Sequence, residues 1–216
     1  MRYELKIFRT YRYNAIRMNN AELTSRRGRP ITRNREHVLE TAMNAYWQND
    51  RAAVSVNAIC ALAGVSKPSL YRDFGSEDGL TQAVLERYAQ TVLGSVEALL
   101  SSSIGFVTKL EALIDFASQD PRMEVGCLFV KMRTTRSRFG VRTQAKIASI
   151  EAHPLECFIR FFREGAASGE WGGSSAAELA AGYLYEQLGL EVSQRAAGKS
   201  PESVRELFGL AMSVLR

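Results

Sequence analysis

Two short amphipathic segments joined by a glycine, within residues 54–75, constrain the fold of this chain more than any other feature. Ser55 and Ser66 precede the two segments, and serine is a preferred N-terminal cap of a helix. Between the segments, Gly64 supplies the positive φ that a sharp turn between two helices requires. Pro68 is compatible with the second helix because the N–H groups of a first helical turn have no partner within the helix. The pattern predicts two short helices that cross at a tight turn.

The apolar and polar positions of these two helices fall on opposite sides. The predicted inner side carries Val56, Ile59, Cys60, Ala63, Val65 and Leu70. The outer side of the second helix carries Lys67, Pro68, Ser69, Tyr71 and Arg72. The unpaired N–H groups and the dipole at a helix start favour anions, and a DNA phosphate is the natural candidate. The pair of helices is therefore predicted to bind DNA.

Helical spacing of apolar residues continues on both sides of this pair. Thr32 is predicted to cap a first helix that ends near residue 48, and Ser76 to cap a long fourth helix. Further helices are predicted near residues 105–119, 123–138, 142–168, 175–196 and 201–215. No stretch alternates long enough to indicate a sheet. The predicted fold class is all-α, with a three-helix N-terminal domain that contains the helix-turn-helix, followed by a larger helical domain.

The run Gly-Val-Ser-Lys-Pro-Ser-Leu-Tyr-Arg-Asp-Phe at residues 64–74 resembles the DNA-binding domain of the TetR (tetracycline-repressor) family of transcriptional regulators. A Gly-Arg-Pro leader and an aromatic first helix extend the resemblance over residues 28–88. It implies a major-groove surface formed by Ser66, Lys67, Pro68, Ser69 and Arg72. It also implies phosphate contacts from Tyr71 and Ser55, and contacts to adjacent phosphates or the minor groove from Arg26, Arg27 and Arg29. Arg72 has the planar fork that pairs with guanine, although a phosphate contact is an equal alternative.

Two acidic residues depart from the family pattern. Glu77 stands where a basic, phosphate-binding residue is usual, and Asp73 stands where a neutral residue is frequent. We therefore expect no phosphate contact at residue 77 and a larger contribution from the N-terminal arm. Glu77 and Asp78 have a second interpretation, because carboxylates stabilise the N-terminus of a helix.

The positive charge of the chain is concentrated at its N-terminus. Residues 1–35 hold ten basic and two acidic residues, whereas the whole chain has a net charge of +5. A concentrated basic segment suits a polyanion. The predicted organisation is a flexible arm at 1–30, the helix-turn-helix domain at 31–76, and the effector-binding and dimerisation domain at 77–216. Met18 is an alternative start to Met1.

Apolar residues of the C-terminal part supply a predicted dimer interface and a predicted effector pocket. The interface is predicted to contain Leu179, Tyr183, Val204, Leu207, Phe208, Ala211, Val214 and Leu215. The pocket is predicted to contain Phe106, Leu110, Phe116, Cys127, Met132, Phe158, Phe162, Trp171 and Tyr183. Such a lining favours a small apolar or aromatic effector. Arg133, Arg136 and Arg138 are expected to form an exposed basic cluster, which is either a solvated face or a site for an anionic effector.

Three scattered cysteines and two histidines indicate neither a disulfide framework nor a metal site, and no cofactor is expected. Neither a signal peptide nor a membrane span is expected, so the predicted location is the cytoplasm. Cys127 has two interpretations, a small buried hydrophobe or an oxidant sensor whose pKa is lowered by Lys131 or a nearby arginine.

No catalytic motif is present, so an enzyme is not expected. The predicted function is a sequence-specific DNA-binding transcriptional regulator, a homodimeric repressor that leaves a palindromic operator when a small-molecule effector binds. The alternatives are a nonspecific nucleic-acid-binding protein that uses the basic arm, and a redox-sensing regulator that acts through Cys127. Operator preference over random DNA separates the first alternative from the main prediction.

Overall fold

The computed structural model describes residues 31–49, 51–173 and 175–215, which contain helices and no strand. This confirms the predicted all-α class. The α-helices are α1 (Ile31–Gln48), α2 (Val56–Ala63), α3 (Lys67–Phe74), α4 (Glu77–Tyr88), α5 (Gly94–Leu100), α6 (Phe106–Gln119), α7 (Leu128–Thr134), α8 (Val141–Ser168), α9 (Ala177–Ala196) and α10 (Pro201–Ser213). Short 3₁₀ turns lie at Arg51–Ala53, Pro121–Val125 and Arg136–Arg138. None of these helices is apolar over a length that would cross a membrane.

Two predicted boundaries are wrong. Helix α1 begins at Ile31, so Thr32 lies within its first turn and not at the cap position. The helix predicted over 123–138 is broken into a 3₁₀ turn, α7 and a second 3₁₀ turn. The break occurs because Gly126 adopts φ 78° and Cys127 is extended, a combination that no α-helix accommodates.

Helix α8 is the centre of the C-terminal part and packs between α4 and α9. At 28 residues it is about 42 Å long, given a rise of about 1.5 Å per residue. Helix α10 packs on both α6 and α9 and completes the bundle. The described residues from Thr32 onward form one compact unit, so the short helices α2 and α3 and the bundle share a continuous set of contacts.

Helices α4 and α5 are joined without a turn through a π-helical segment at Ala89–Leu93. Tyr88, Ala89 and Gly94 all keep right-handed helical φ and ψ, so residues 77–100 run as one long rod. A π-helical segment widens a helix locally and frequently occurs at functional positions. Here it faces the internal cavity described below.

Candidate DNA-binding domain and effector cavity

Helices α2 and α3 form the predicted helix-turn-helix. The Ser55 hydroxyl accepts a hydrogen bond from the Ala58 N–H at 3.1 Å, and the Ser66 hydroxyl accepts one from the Ser69 N–H at 3.4 Å. Gly64 has φ 64° and ψ 36°, the left-handed conformation that the tight turn requires. The predicted inner residues Val56, Ile59, Cys60, Ala63 and Leu70 are buried. The local signals in the sequence therefore produce the predicted geometry.

The outer face of α3 presents the polar residues that the sequence assigned to DNA. Ser66, Lys67, Pro68 and Arg72 are exposed, while Ser69 and Tyr71 are half-buried. The Lys67 ammonium lies 5.7 Å from the centre of the Tyr71 ring, and Arg72 donates to the Ser69 hydroxyl at 3.0 Å. Each capping serine hydroxyl still has its own proton to donate, for example to a phosphate oxygen. Arg26, Arg27 and Arg29 lie outside the described residues.

The two acidic departures from the family pattern are both paired. Glu77 accepts a hydrogen bond from Arg51 at 2.6 Å, and the Arg51 guanidinium also lies 4.5 Å from the centre of the Tyr46 ring. The Asp73 side chain is only 7% exposed, and its Oδ1 lies 3.3 Å from Nε of Arg72. Pairing reduces the repulsion that these carboxylates exert on a nearby phosphate backbone. Arg51 is a residue that the sequence analysis missed.

Asp78 joins the start of α4 to the start of α8. Its carboxylate accepts hydrogen bonds from the backbone N–H of Arg142 at 3.0 Å and of Thr143 at 3.2 Å, and from the Thr143 hydroxyl at 2.5 Å. Burial alone would raise the pKa of Asp78, but the hydrogen bonds from Thr143 and Arg142 together hold it below its usual value. Asp78 thus caps α8, a helix that begins 63 residues later in the chain.

A second link joins the end of α1 to the segment that precedes α7. The Trp47 indole N–H donates to the Gly126 carbonyl at 2.6 Å, and the Lys131 ammonium donates to the Trp47 carbonyl at 3.0 Å. The Trp47 ring also meets Tyr88 edge-on, with the ring centres 4.9 Å apart. The helix-turn-helix is therefore attached to the bundle through both α1 and α4.

A largely apolar cavity of about 260 Å³ lies inside the bundle between the α4–α5 rod, α7, α8 and α9. Its walls include Tyr88, Val92, Phe129, Ile150 and Leu188. Polar groups enter the lining at Glu97, Arg133, His153 and Tyr185. The predicted pocket residues Phe116, Cys127 and Phe158 are in this lining.

The remaining predicted pocket residues lie elsewhere, and the prediction was wrong for them. They are Phe106, Leu110, Met132, Phe162, Trp171 and Tyr183. Phe106, Phe162 and Trp171 belong to a buried aromatic cluster in which Phe106 stacks on Phe161 with the ring centres 4.4 Å apart. The Trp171 indole N–H donates to the Leu215 carbonyl at 2.7 Å, which ties this cluster to the end of α10.

The basic cluster predicted at Arg133, Arg136 and Arg138 is divided in the structure. Arg136 and Arg138 are exposed, but Arg133 lies in the cavity wall and within 3.5 Å of the Glu186 carboxylate. Its guanidinium also lies 5.9 Å from the centre of the Tyr185 ring. Arg133 therefore gives the apolar cavity one cationic group that is already paired.

Cys127 lies in the cavity wall as a protonated thiol. Burial raises the pKa of Cys127, although the Tyr88 hydroxyl, which donates to Sγ at 3.2 Å, acts in the opposite direction. Burial also raises the pKa of Tyr88 well above its ordinary value. Reaction with oxidants requires a thiolate. The lowered pKa on which the redox-sensing interpretation of Cys127 depends is therefore absent.

The predicted dimer residues fall on two different faces. Val204, Phe208 and Leu215 are buried within the chain, so their assignment to an interface was wrong. Leu179, Leu207 and Val214 are exposed, together with Leu190 and Leu210. Tyr183 and Ala211 lie between the two faces, and the Tyr183 hydroxyl donates to the Ala211 carbonyl at 3.2 Å. Helices α9 and α10 thus keep an apolar outer face after their inner face is filled.

Residues 38–84 match the family described as bacterial regulatory proteins, tetR family. This match covers the end of α1, both helices of the helix-turn-helix and most of α4. The helix-turn-helix region of the chain is therefore similar to that of the tetR family. Among its relatives, the HTH-type transcriptional repressor ComR of Escherichia coli is 32% identical over 117 residues, which is 51% of this chain and 55% of ComR. The HTH-type transcriptional regulator AlkX of Mycobacterium tuberculosis is 30% identical over 71 residues, 33% of this chain and 34% of AlkX. The chain thus spans about half the length of ComR and about a third of AlkX.

Solved structures extend the likeness to the C-terminal bundle. The reduced form of NemR from Escherichia coli superposes with a TM-score of 0.75 at 19% identity, over 85% of this chain and 97% of that one. A cysteine-substituted mutant of CifR in complex with 26-base-pair operator DNA superposes with a TM-score of 0.68 at 18% identity, over 92% and 100% of the two chains. At these identities the likeness concerns the fold alone.

Proposed function

We propose that the chain is a dimeric, sequence-specific transcriptional repressor that leaves a palindromic operator when a small effector enters the cavity. The observation that carries the proposal is the exposed face of α3, where Lys67, Pro68 and Arg72 project from a helix anchored by the buried Leu70 and Phe74. A short helix anchored in this way can enter the major groove with its N-terminal turn against the bases. We infer a regulatory role in the cytoplasm, where a protein that binds operator DNA would act.

The chemistry of each polar side chain determines which part of the DNA it contacts. Arg72 pairs with two acceptors on a guanine edge, and its present contact with Ser69 positions the guanidinium on the outer face of α3. Tyr71 and the capping serines Ser55 and Ser66 donate hydroxyl protons to phosphates on either side of the groove. Arg26, Arg27 and Arg29 in the arm add sequence-independent affinity.

The exposed apolar face of α9 and α10 supports a homodimer. Leu179, Leu207, Leu210 and Val214 are each more than a third exposed on two adjacent helices. A second copy placed on this face by two-fold rotation would form a four-helix interface. The two copies of α3 would then read two half-sites related by the same symmetry, which is the reason to expect a palindrome.

The effector acts through the two attachments of the helix-turn-helix to the bundle. Tyr88 lies in the cavity wall and Asp78 lies ten residues earlier on the same helix, about 15 Å away at about 1.5 Å per residue. Gly126 and Lys131, which hold Trp47, flank the wall residue Cys127. An effector that moves α8 or this segment therefore biases the orientation of α1 and α4. The spacing of the two α3 helices in the dimer changes as a result.

The cavity selects a small, mainly apolar or aromatic effector. Its volume of about 260 Å³ is slightly below the range of roughly 300–1,000 Å³ usual for ligand pockets, which favours a compact molecule. The rings of Tyr88, Phe129, Phe158 and Tyr185 provide aromatic walls. Arg133 offers a cation to any partly anionic group of the effector, in competition with Glu186.

The experiment is a selection of genomic fragments by affinity for the full chain at physiological salt. We expect a palindromic site for the native protein. Arg72→Ala is expected to weaken binding to that site by about 1–3 kcal/mol and to relax the preference at one base pair of each half-site. Tyr71→Phe, which removes only the hydroxyl, is expected to weaken binding without changing the preferred sequence.

Arg163→Ala is the matched control, because the Arg163 side chain is 65% exposed on α8 and that of Arg72 is 63% exposed on α3. The control is expected to bind the selected site as the native protein does. Weak, unselective binding that is equal in all four proteins would contradict the proposal. That result would mean that the positive charge of the N-terminal arm alone accounts for DNA binding.

A further inference from the structure

One wall of the cavity holds three different potential metal ligands. Glu97 lies on α5, and His153 and Cys157 lie four residues apart on α8. One carboxylate oxygen of Glu97, one ring nitrogen of His153 and Sγ of Cys157 all lie within 4.8 Å of one another. We propose that Glu97, His153 and Cys157 bind one transition-metal ion of the Zn²⁺ class, and that this ion regulates the protein.

The distances are close to those of a coordinated ion. Bonds of about 2.0–2.3 Å at tetrahedral angles separate neighbouring ligand atoms by roughly 3.3–3.8 Å. Nε2 of His153 and Oε2 of Glu97 are already 3.3 Å apart. Sγ of Cys157 needs to approach the other two atoms by at most about 1.5 Å to complete the triangle, which a change of side-chain rotamers supplies.

Helical geometry brings the two α8 ligands to one face. Residues four apart in a helix lie above one another on the same side, so His153 and Cys157 both point toward α5. His153, Cys157 and Glu97 all contribute to the cavity lining. Residues 97 and 157 are distant in sequence, and their proximity is a product of the packing of α5 on α8.

The three proposed ligand side chains differ in their exposure to solvent. The His153 side chain is 63% exposed, Glu97 is intermediate, and Cys157 is buried. An ion can therefore meet the imidazole and the carboxylate first and the thiol last. Coordination of Sγ releases the thiol proton to solvent, as metal binding by cysteine requires.

The donor set selects the class of ion. One thiolate, one imidazole and one carboxylate suit Zn²⁺ and its neighbours such as Co²⁺, whereas Mg²⁺ and Ca²⁺ prefer oxygen ligands alone. Three protein ligands leave one position of a tetrahedral ion open to water or to a small ligand in the cavity. The two anionic ligands also neutralise the charge of a divalent ion.

Arg160 is a cation close to this site and competes with the ion for the thiolate. Its Nη2 lies 3.9 Å from Sγ of Cys157 and 3.4 Å from the Ser101 hydroxyl. The contact with sulfur is long, and the Arg160 side chain lies at the surface of α8, so the guanidinium can keep its contact with Ser101 when an ion binds. Arg160→Gln is therefore expected to strengthen metal binding.

A bound ion would fasten α5 to α8 at the cavity wall. Helix α5 continues α4 through the π-helical segment, and α8 is attached to α4 through Asp78. Fixing the distance between α5 and α8 therefore acts on the rod that carries the helix-turn-helix. This regulatory role rests on the proposed function, whereas the metal site itself does not.

The test uses full-length protein and Co²⁺ as a spectroscopic probe. We expect one Co²⁺ per chain, with a thiolate-to-cobalt charge-transfer band in the near ultraviolet and visible bands of tetrahedral cobalt that Zn²⁺ abolishes. Cys157→Ser is expected to remove the charge-transfer band. His153→Gln, at an exposed position that leaves the core intact, is expected to weaken binding by about tenfold to a hundredfold or more.

The chain has one other histidine and two other cysteines, which supply matched controls. His37→Gln and Cys60→Ser, both outside the cavity lining, are expected to keep the spectrum and the affinity of the native protein. Failure of the native chain to bind Co²⁺ and Zn²⁺ would overturn the proposal. Unchanged affinity in His153→Gln, or a charge-transfer band that survives Cys157→Ser, would overturn it as well.

The regulatory role is tested on the operator selected under the proposed function. We expect Zn²⁺ to change operator affinity at least about fivefold in the native protein, a typical allosteric coupling, and to have no effect on His153→Gln. A cobalt spectrum without any change in operator affinity would refute the regulatory role. If no operator is found, the cobalt spectrum still decides whether the site exists, so the two proposals fail separately.

Discussion

Replacement of Asp78 by alanine tests the attachment of the helix-turn-helix to the bundle. The substitution removes the carboxylate that accepts hydrogen bonds from two backbone N–H groups at the start of α8 and from the Thr143 hydroxyl. Loss of a single helix cap costs typically about 1 kcal/mol, and hydrogen bonds to a charged group cost about 1.5–3 kcal/mol each. Because Asp78 is partly exposed, water replaces some of these bonds. We expect a loss of about 2 kcal/mol in the free energy of unfolding.

Thermal and urea unfolding at pH 7 measure this loss. For a chain of this size, 2 kcal/mol corresponds to a fall in Tm of about 4–8 °C. Asp115→Ala is the control, because Asp115 is exposed and its ion pair with Arg205 lies at the surface. Such pairs contribute about 0–1 kcal/mol, so the control is expected to remain close to the native protein. An Asp78→Ala protein within about 0.5 kcal/mol of native would refute the capping role of Asp78.

The pH dependence of the stability difference between native protein and Asp78→Ala provides a second check. The pKa of Asp78 is lower in the folded state than in the unfolded state, in which an aspartate titrates near pH ~3.9. The unfolded state therefore binds the proton more readily, and stabilisation by the carboxylate is complete only above that range. The difference between native protein and Asp78→Ala is expected to be constant near neutral pH. It should shrink as the pH falls through the lowered pKa.

Three further predictions concern the turn, the cavity thiol and the dimer face. Gly64→Ala introduces a Cβ at φ 64° with no neighbouring atom within 4 Å, so backbone strain is the only expected cost. We expect urea unfolding to show a loss of about 1–2 kcal/mol in the free energy of unfolding. An unchanged free energy of unfolding would contradict the required left-handed turn. Cys127, whose pKa is raised by burial, should resist thiol labelling at pH 7 in the native protein and react fully after unfolding, as measured by peptide mass spectrometry. Leu210→Glu changes a side chain that is 71% exposed, so light scattering should detect monomers with a native unfolding temperature. A persistent dimer would place the interface elsewhere.

The helix-turn-helix could be predicted because its signals are local. Ser55 and Ser66 accept hydrogen bonds from N–H groups three residues later, and Gly64 adopts its special conformation within a single turn. None of these interactions needs a distant part of the chain. The family's spacing of turn, tyrosine and phenylalanine added the DNA-facing residues, and the exposed face of α3 is consistent with them.

The cavity was predicted poorly because helical periodicity cannot tell which apolar side chains meet each other. Phe106, Phe162 and Trp171 have the same spacing as wall residues, but they pack together and fill their own space. Phe116 and Phe158 face a space that remains open. The difference is decided by the packing of α6, α8 and α9, and no segment of the sequence encodes it alone.

The dimer face and the proposed metal site show the same division between local and long-range information. The sequence by itself determined the helices, the turn and the apolar stripes, because caps, glycine and period are properties of neighbouring residues. Only the tertiary structure placed Phe208 inside and Leu210 outside on the same helix. Only the tertiary structure brought Glu97 to His153, 56 residues later in the chain. The contacts that create a cavity, an interface or a three-ligand site join distant segments, and burial in the common core selects among the pairings that the local pattern allows.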